Sequence, residues 1–525
     1  MRRPTPERVL LLAIVVVGLA LRVVPVWFGL PDVRARPDEE TTIGIASAIL
    51  GGDPNPHFFN WPTLTMYSFA GVFAAASFVA RIGARAIRPD QYYVLARASI
   101  AFAGTTTIVV LWRLARRIGG SSMGLAAAWL LAVAILHVRD SHFATTDVLM
   151  TLFVTAALAL LVRAAEPGRA ASTDVRLWAL AGAFGGFAAA AKYNGAVILI
   201  AIAAAQFVRV KEAADRRSAA VWLPGAASLA AFATAFVAGS PFVLLDYASF
   251  HRDIAFESSH LEAGHGGILL GRGWSYHLVR TLPYGLGIPV FVMAVAGAGI
   301  LAVRRPRAAV VLGAFAAAYY AGIGSGHTVF FRYAMPLVPL ACLAAAEGIR
   351  ACGVWLADRA KWPHGASMAI VCALVSAPSL INAVWMDAAL ARTDTRHLAS
   401  VWLQSHVKPT ESVGDADAVY ARAPNMPGHH WTYDERTQSF DVPDGAIPDW
   451  LVLYDSPLRT YAHIPAALRT LASTRYDLAF EASATHGAAS SAVYDLQDAF
   501  FLPISGFSTV DRPGPTILIY RRARP

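Results

Sequence analysis

Residues 9–28 read VLLLAIVVVGLALRVVPVWF, and residues 36–40 follow as RPDEE. An apolar run of this length matches the hydrocarbon thickness of a bilayer, which takes about 20 helical residues to cross. Three consecutive carboxylates, Asp38, Glu39 and Glu40, then stand at the membrane boundary. Charges there cost free energy unless they are solvated or used. The stretch therefore predicts a first membrane helix with an acidic outer loop behind it.

The rest of the chain repeats the first half of that pattern. Of its 525 residues 56% are hydrophobic and only 15% are charged, where soluble domains are nearer one quarter charged. Runs such as Leu125 to Leu136 and Ala226 to Gly239 carry no polar face at helical period, which excludes a soluble helical bundle. The net charge of +9 does not point to nucleic acid. Its cations sit in short loops between apolar runs: Arg113, Arg116 and Arg117; Arg209, Lys211, Arg216 and Arg217; Arg304, Arg305 and Arg307. That distribution is the positive-inside pattern of a polytopic membrane protein. Cys342, Cys352 and Cys372 all lie in or beside apolar runs, so no disulfide framework is indicated. The first run lacks a small-residue cleavage site and is expected to be retained.

Loop charge sets the topology. Arg2, Arg3 and Arg8 place the N-terminus in the cytoplasm, so helix 1 (9–28) delivers Asp38 to the outside. The next apolar stretch, 63–80, either spans or lies flat. If it lies flat, ten further spans follow: 94–112, 121–138, 147–165, 177–191, 193–209, 219–240, 281–303, 308–323, 331–349 and 366–386. Every strongly basic loop (113–117, 163–176, 209–217, 304–307 and 350–361) is then inside, and only Arg81, Arg85 and Arg88 dissent. The expectation is eleven spans with Asp38, Asp147, Lys192, the loop 241–280, His327 and the C-terminal region all outside. From Thr393 the apolar runs shorten to strand length, as in Trp450 to Tyr454 and Thr516 to Tyr520, among turn residues. This predicts a soluble α/β domain of about 130 residues opened by a helix over Arg396 to His406.

Five polar groups carry candidate chemistry. Asp38, Glu39 and Glu40 include a possible general base, since a carboxylate can take a proton from an acceptor hydroxyl. Asp38 is equally well placed to cap a helix containing Ile43. Arg139-Asp140-Ser141-His142 to Asp147 joins two apolar runs; Asp147 either caps the following helix or orients a substrate, and Arg139 offers a planar donor fork to phosphate. Lys192-Tyr193-Asn194-Gly195 interrupts an apolar region, where a Lys is expensive and by default functional. His327 to Tyr333 places Arg332 against the charge bias, which suits a bound anion. His260, Glu262 and His265 have metal-ligand side chains at a spacing that is not a zinc motif, and the glycines from Gly264 to Gly273 predict a mobile loop instead.

Taken in order, the acidic pair after helix 1, Asn55-Pro56-His57-Phe58-Phe59-Asn60-Trp61-Pro62, Ser141 to Asp147, Lys192 to Gly195 and Phe331-Arg332-Tyr333 resemble the GT-C superfamily. Within it the chain looks like the bacterial relatives of protein O-mannosyltransferases and of the lipid A aminoarabinose transferase, over residues 9–390. The resemblance implies a membrane glycosyltransferase domain (1–392) with a first outer loop over 29–62, a juxtamembrane helix over 63–80 and a long outer loop over 241–280. An extracytoplasmic α/β domain (393–525) follows. It implies a sugar donor on polyprenyl phosphate, a lipid, glycan or protein acceptor, and a place in the plasma membrane. Asp38, with Glu39 beside it, would hold the catalytic position, and Asp147 the second acidic one. Arg139, Lys192 and Arg332 would grip the carrier phosphate; His57, Tyr193, Asn194 and Tyr333 would contact substrate. No cofactor is required, and relatives differ in metal use. Many relatives carry a Pro-Pro pair where this chain has Trp61-Pro62-Thr63, so the local shape departs from the family's. The competing class is a transporter of lipid-linked sugar, which predicts inverted repeats that the sequence does not show.

Overall fold

Apolar runs become helices because a backbone in hydrocarbon must satisfy its hydrogen bonds internally. The computed structural model describes residues 5–31, 35–166, 171–442, 445–486 and 492–523, with the side chains of 171–174 excepted. Arg2, Arg3 and residues 167–170 of the expected basic loop lie outside the described residues. Two compact units result: residues 1–26, 41–265 and 269–383 form a helical unit, and residues 27–40, 266–268 and 384–525 form a second one.

The helices in chain order are α1 (Pro6–Val23), α2 (Pro37–Leu50), α3 (Leu64–Ile82), α4 (Pro89–Gly119), α5 (Ser121–Val133), α6 (Ile135–Asp140), α7 (Asp147–Ala164), α8 (Ala171–Ala191), α9 (Ile198–Glu212), α10 (Ala219–Gly239), α11 (Phe242–Leu245) and α12 (Tyr247–Ala263). They continue with α13 (Gly273–Tyr276), α14 (Leu282–Leu286), α15 (Ile288–Arg304), α16 (Pro306–Gly324), α17 (Leu337–Ala360), α18 (His364–Leu390), α19 (Thr395–His406) and α20 (Ala466–Arg475). Among the described residues eight helices are long and apolar enough to cross a membrane, and a ninth if the segment bent by 112° at Gly287 counts as one. The chain is a polytopic α-helical membrane protein.

Several expected spans differ in detail. Helix 1 stops at Val23, five residues early, because Pro25 lacks the amide that would continue it. The run 121–138 is two helices, broken at Ala134, whose ψ of 109° is extended. The break leaves the last carbonyls of α5 without helical partners. Arg22, fully buried in α1, supplies them: its guanidinium donates to Ala132 O (2.9 Å) and Leu131 O (2.9 Å). The Ser379 hydroxyl donates to Val133 O at 2.9 Å and accepts from the Ile135 amide at 3.1 Å. Arg22→Leu strips two buried carbonyls of their donor, each costing about 1–3 kcal/mol. It is expected to cut the yield of monodisperse protein in detergent several-fold, as read by size-exclusion chromatography.

Ion pairs fix which helix ends meet. Arg116, in the last turn of α4, pairs with Glu7 at the start of α1 (2.7 Å), and Arg117 pairs with Glu166 just beyond α7 (2.7 Å). Arg307 at the start of α16 pairs with Glu212 at the end of α9 (2.5 Å), and Arg304 reaches Glu347 of α17 (3.3 Å). One cavity is lined by Arg117, Lys211, Arg304 and Arg305. The basic loops thus gather at one end of the helical unit. At the opposite end α7 begins with Asp147, which pairs with Lys192 beyond the end of α8. There α10 runs parallel to α8 in backbone contact: a Cβ on Gly182 would meet Ser228 O at 1.9 Å, and one on Gly186 would meet Phe232 O at 2.2 Å. Both ends of the link from α10 to α4 through α3 stay at the Asp147 end. The Thr63 amide before α3 donates to Ser240 Oγ (3.0 Å), and the Phe73 ring lies 4.6 Å from Tyr92 in the first turn of α4.

The second unit carries a six-stranded sheet of order β3-β2-β1-β4-β6-β5. Its strands are β1 (Ser412–Asp415), β2 (His429–Asp434), β3 (Ser439–Phe440), β4 (Trp450–Asp455), β5 (Tyr476–Ala482) and β6 (Thr516–Arg522). β4 is central, parallel to β1 and antiparallel to β6. Strand residues alternate faces: Trp450, Val452 and Tyr454 pack with Ala399 and Leu403 of α19, whereas Leu451 and Leu453 pack with Leu468 and Ala472 of α20. The expected α/β domain and its first helix are present, and residues 27–40 and 266–268 pack with it.

Candidate functional site

In the helical unit the polar residues singled out in the sequence converge at the Asp147 end. Asp147 is the first residue of α7, not its cap: the cap position is Thr146, and no side-chain cap bond forms. Its carboxylate instead accepts from Lys192 Nζ at 2.7 Å, with the two side chains 2% and 17% exposed. Lys192 adopts an extended backbone (φ −154°, ψ 134°) that ends α8 and turns its side chain to this partner. Its ammonium also lies 4.9 Å from the centre of the Tyr333 ring, a favourable cation–π contact. The Asn194 side chain hydrogen bonds to Tyr319, whose hydroxyl donates to Tyr333 O (3.1 Å). Arg332 is nearly buried with its guanidinium 3.8 Å from the Phe330 ring centre. Arg139 is also buried, with Nε 3.3 Å from Asp140 Oδ2, on a helix that packs against the Phe331–Ala334 turn.

The loop before α3 belongs to a second assembly. Tyr193 OH donates to Phe59 O (3.0 Å), and the Phe59 amide donates to Asp253 Oδ2 (2.8 Å). Asn60 Nδ2 reaches Glu257 Oε1 (2.9 Å), and Asn55 Nδ2 reaches Asp246 Oδ2 (3.0 Å). Residues 55–60 are thereby fastened to the start and middle of α12. His57 remains exposed, 3.2 Å from Asp53. Asp253 gave no signal in the sequence beyond its charge. The stretch expected to be a mobile loop, Gly264 to Gly273, follows α12. His260 Nε2 and His265 Nδ1 are 2.9 Å apart, and the His327 amide donates to Leu261 O (2.9 Å). Gly264, Gly266, Gly267 and Gly271 all adopt positive φ, a backbone region that glycine reaches without strain. No group of three or more His, Cys, Asp or Glu side chains able to hold a metal occurs among the described residues.

Asp38, Glu39 and Glu40 lie in the second unit. α2 begins at Pro37, the position that favours proline, so Asp38 sits inside the first turn and is not a cap. Carboxylates there are stabilised by the positive end of the helix dipole. Glu39 is fully buried; Asp38 and Glu40 are partly exposed. The preceding Arg36 is buried and held by the buried carboxylate of Asp498, 462 residues away, through Nε at 3.2 Å and a second bond from Nη2 to Oδ2. Glu40 lines a cavity of about 650 Å³ with Tyr420, Arg396, Arg422, Asn425 and His430. Burial, then the charges of Glu40 and Asp38, push the Tyr420 phenol up. Arg396 forks onto Asp394 (2.9 and 2.7 Å) and Arg422 onto Asp415 (2.9 and 3.0 Å), so both guanidinium groups are neutralised within the domain.

Two of the motifs behind the resemblance, Ser141 to Asp147 and Lys192 to Gly195, fall within a match to a known family. Residues 75–238 match the family model of dolichyl-phosphate-mannose-protein mannosyltransferases. No curated protein matches the chain by sequence. Among solved structures, ArnT from Cupriavidus metallidurans bound to undecaprenyl phosphate aligns with a TM-score of 0.52 at 13% identity, covering 98% of this chain and 97% of that one. Its apo state aligns at 0.51 and 15% identity, covering 96% and 97%. The apo oligosaccharyltransferase of Archaeoglobus fulgidus aligns at 0.52 and 11% identity over 78% of this chain; the match spans 62% of that enzyme's length. The GT-C resemblance therefore holds: the chain has the fold of these membrane glycosyltransferases.

Proposed function

We propose that this protein moves a sugar from a polyprenyl-phosphate donor to an acceptor hydroxyl at the outer face of the plasma membrane, inverting the anomeric carbon. The observation that carries this reading is the fold shared, over nearly the whole chain, with a transferase held in complex with undecaprenyl phosphate. Asp38 is the base: partly exposed, in the first turn of α2, it is open to an acceptor, whereas Glu39 is sealed. As the acceptor oxygen bonds to the anomeric carbon, Asp38 takes its proton. The bond from that carbon to the phosphate oxygen breaks on the opposite face, and its electron pair leaves with polyprenyl phosphate. No covalent enzyme intermediate forms. Arg139, Lys192 and Arg332 are the cations we assign to the leaving phosphate, whose growing charge they stabilise. Lys192 is shared with Asp147, so phosphate entry and the ion pair compete for one ammonium. His57, Tyr193, Asn194 and Tyr333 are assigned to substrate contact.

Topology supports the outer placement. The pair between Glu7 and Arg116 requires an even number of crossings between them. α1 and α4 supply two, and α2 is too short; α3 is long and apolar enough to cross, but its attachments at the Asp147 end suit a helix lying along the surface. Positive-inside bias assigns the basic end to the cytoplasm. In a background lacking Cys342, Cys352 and Cys372, an impermeant thiol reagent on intact cells is expected to label Leu478→Cys but not Ala214→Cys. The reverse pattern would invert the assignment.

The activity is tested by incubating the purified protein with a polyprenyl-phosphate-linked sugar and candidate acceptors, then following released polyprenyl phosphate by mass spectrometry. Movement of the donor across liposomes with no release would identify a transporter instead.

A further inference from the structure

At the end of the helical unit remote from Asp147, two adjoining cavities of about 650 and 420 Å³ share Arg304 and Arg305 on their walls. Their other charged residues are Arg117, Lys211, Arg307 and Arg350, set against Glu166, Glu212 and Glu347. Six cations face three carboxylates. The carboxylates are spent within the protein: Glu166 on Arg117, Glu212 on Arg307, and Glu347 on both Arg304 and Arg350. Lys211 and Arg305 are exposed, and neither has a side-chain partner among the described residues.

Loop cations set topology whether or not they bind anything, so charge alone proves no site. Here the cations border an apolar wall. Phe207 (62% exposed) and Val310 (42% exposed) line the larger cavity. A soluble anion has no use for such a wall, whereas a lipid has both a phosphate and a chain. We propose that this cavity holds an anionic phospholipid of the inner leaflet, its phosphate against Lys211 and Arg305 and an acyl chain along Phe207 and Val310. Basic pockets between membrane helices suit such headgroups.

The preference for an anionic over a zwitterionic lipid is roughly fivefold for each uncompensated cation, so about 25-fold for two. Native mass spectrometry of the full-length protein, titrated with phosphatidylglycerol or phosphatidylcholine of the same chains, reads this ratio. The wild-type protein is expected to favour phosphatidylglycerol by about that factor. Lys211→Gln with Arg305→Gln is expected to bring the ratio within about twofold of unity at unchanged melting temperature, because both side chains are exposed and make no bond within the fold. Phe207→Ala is expected to weaken both lipids alike. If the double variant does not fold, Arg305→Gln alone must still lower the ratio about fivefold. Equal binding of the two lipids by wild type, or a ratio unmoved by the charge variants, overturns the proposal. Displacement of the lipid by glycerol phosphate at equal concentration would also overturn it, by showing a site for a soluble phosphate ester.

Discussion

Asp38→Asn is expected to lower sugar transfer by about 10²- to 10⁴-fold, the usual contribution of a general base, at a stability cost of no more than about 1 kcal/mol, the worth of a carboxylate at a helix start. The amide keeps the size of the carboxylate but cannot take a proton. Partial exposure argues that little of the fold rests on the Asp38 charge. Glu39→Gln makes the contrast. Glu39 is fully buried, so its loss should appear first as lower thermal stability, with residual activity scaling with folded protein. If Asp38→Asn kept full turnover and Glu39→Gln abolished it at unchanged stability, the roles assigned here would be reversed. The sequence made Asp38 the preferred base with Glu39 as its rival; in the structure the two differ in burial.

Lys192→Met is expected to be among the most destabilising single changes in the helical unit, by about 3–5 kcal/mol. That is the usual cost of breaking a buried ion pair from one side. Asp147, only 2% exposed, would be left with an uncompensated charge. Pairing the change with Asp147→Asn removes that charge and should restore most of the stability, measured as the melting temperature in one detergent. Activity then separates two roles. If Lys192 serves only as the counterion of Asp147, the double variant should work as well as Asp147→Asn alone. If it grips the donor phosphate, the double variant should be stable, yet need far more donor for half-maximal rate. A single Lys192→Met variant as stable as wild type would contradict the pairing itself.

The sequence disclosed what local pattern controls. Apolar runs placed α7 and α10 to within one residue at both ends and found α4 and α17 with ends 5 to 11 residues off, and short apolar runs among turn residues found β4 and β6. Basic loops predicted which helix ends meet, and the ion pairs between Glu7 and Arg116 and between Arg307 and Glu212 join the expected ones. What stayed hidden depends on partners far along the chain. Nothing near Ala134 announces a break, because the group that satisfies its carbonyls is Arg22, 110 residues earlier. Arg36 reads as a flank of the acidic loop until Asp498 is seen beside it. Asp147 read as either a cap or a substrate-orienting group; only the fold brings Lys192 within 2.7 Å. The Gly264 to Gly273 stretch is a different case. Glycine signals either freedom or left-handed geometry, and composition alone does not say which.

The bonds from Arg22 to the end of α5 also impose an order on biogenesis. When α1 enters the bilayer, its guanidinium can meet only Gly18 O of its own helix (2.7 Å), since Leu131 and Ala132 are not yet made. At about 5–20 residues per second, translating the intervening chain takes roughly 5–20 s. For that time the nascent helix carries a charge with only part of its hydrogen bonds made, which favours the aqueous flank or the insertion machinery over free lipid. α1 therefore joins the membrane fully only when α5 arrives, and a ribosome stalled between the two should leave it extractable by alkali.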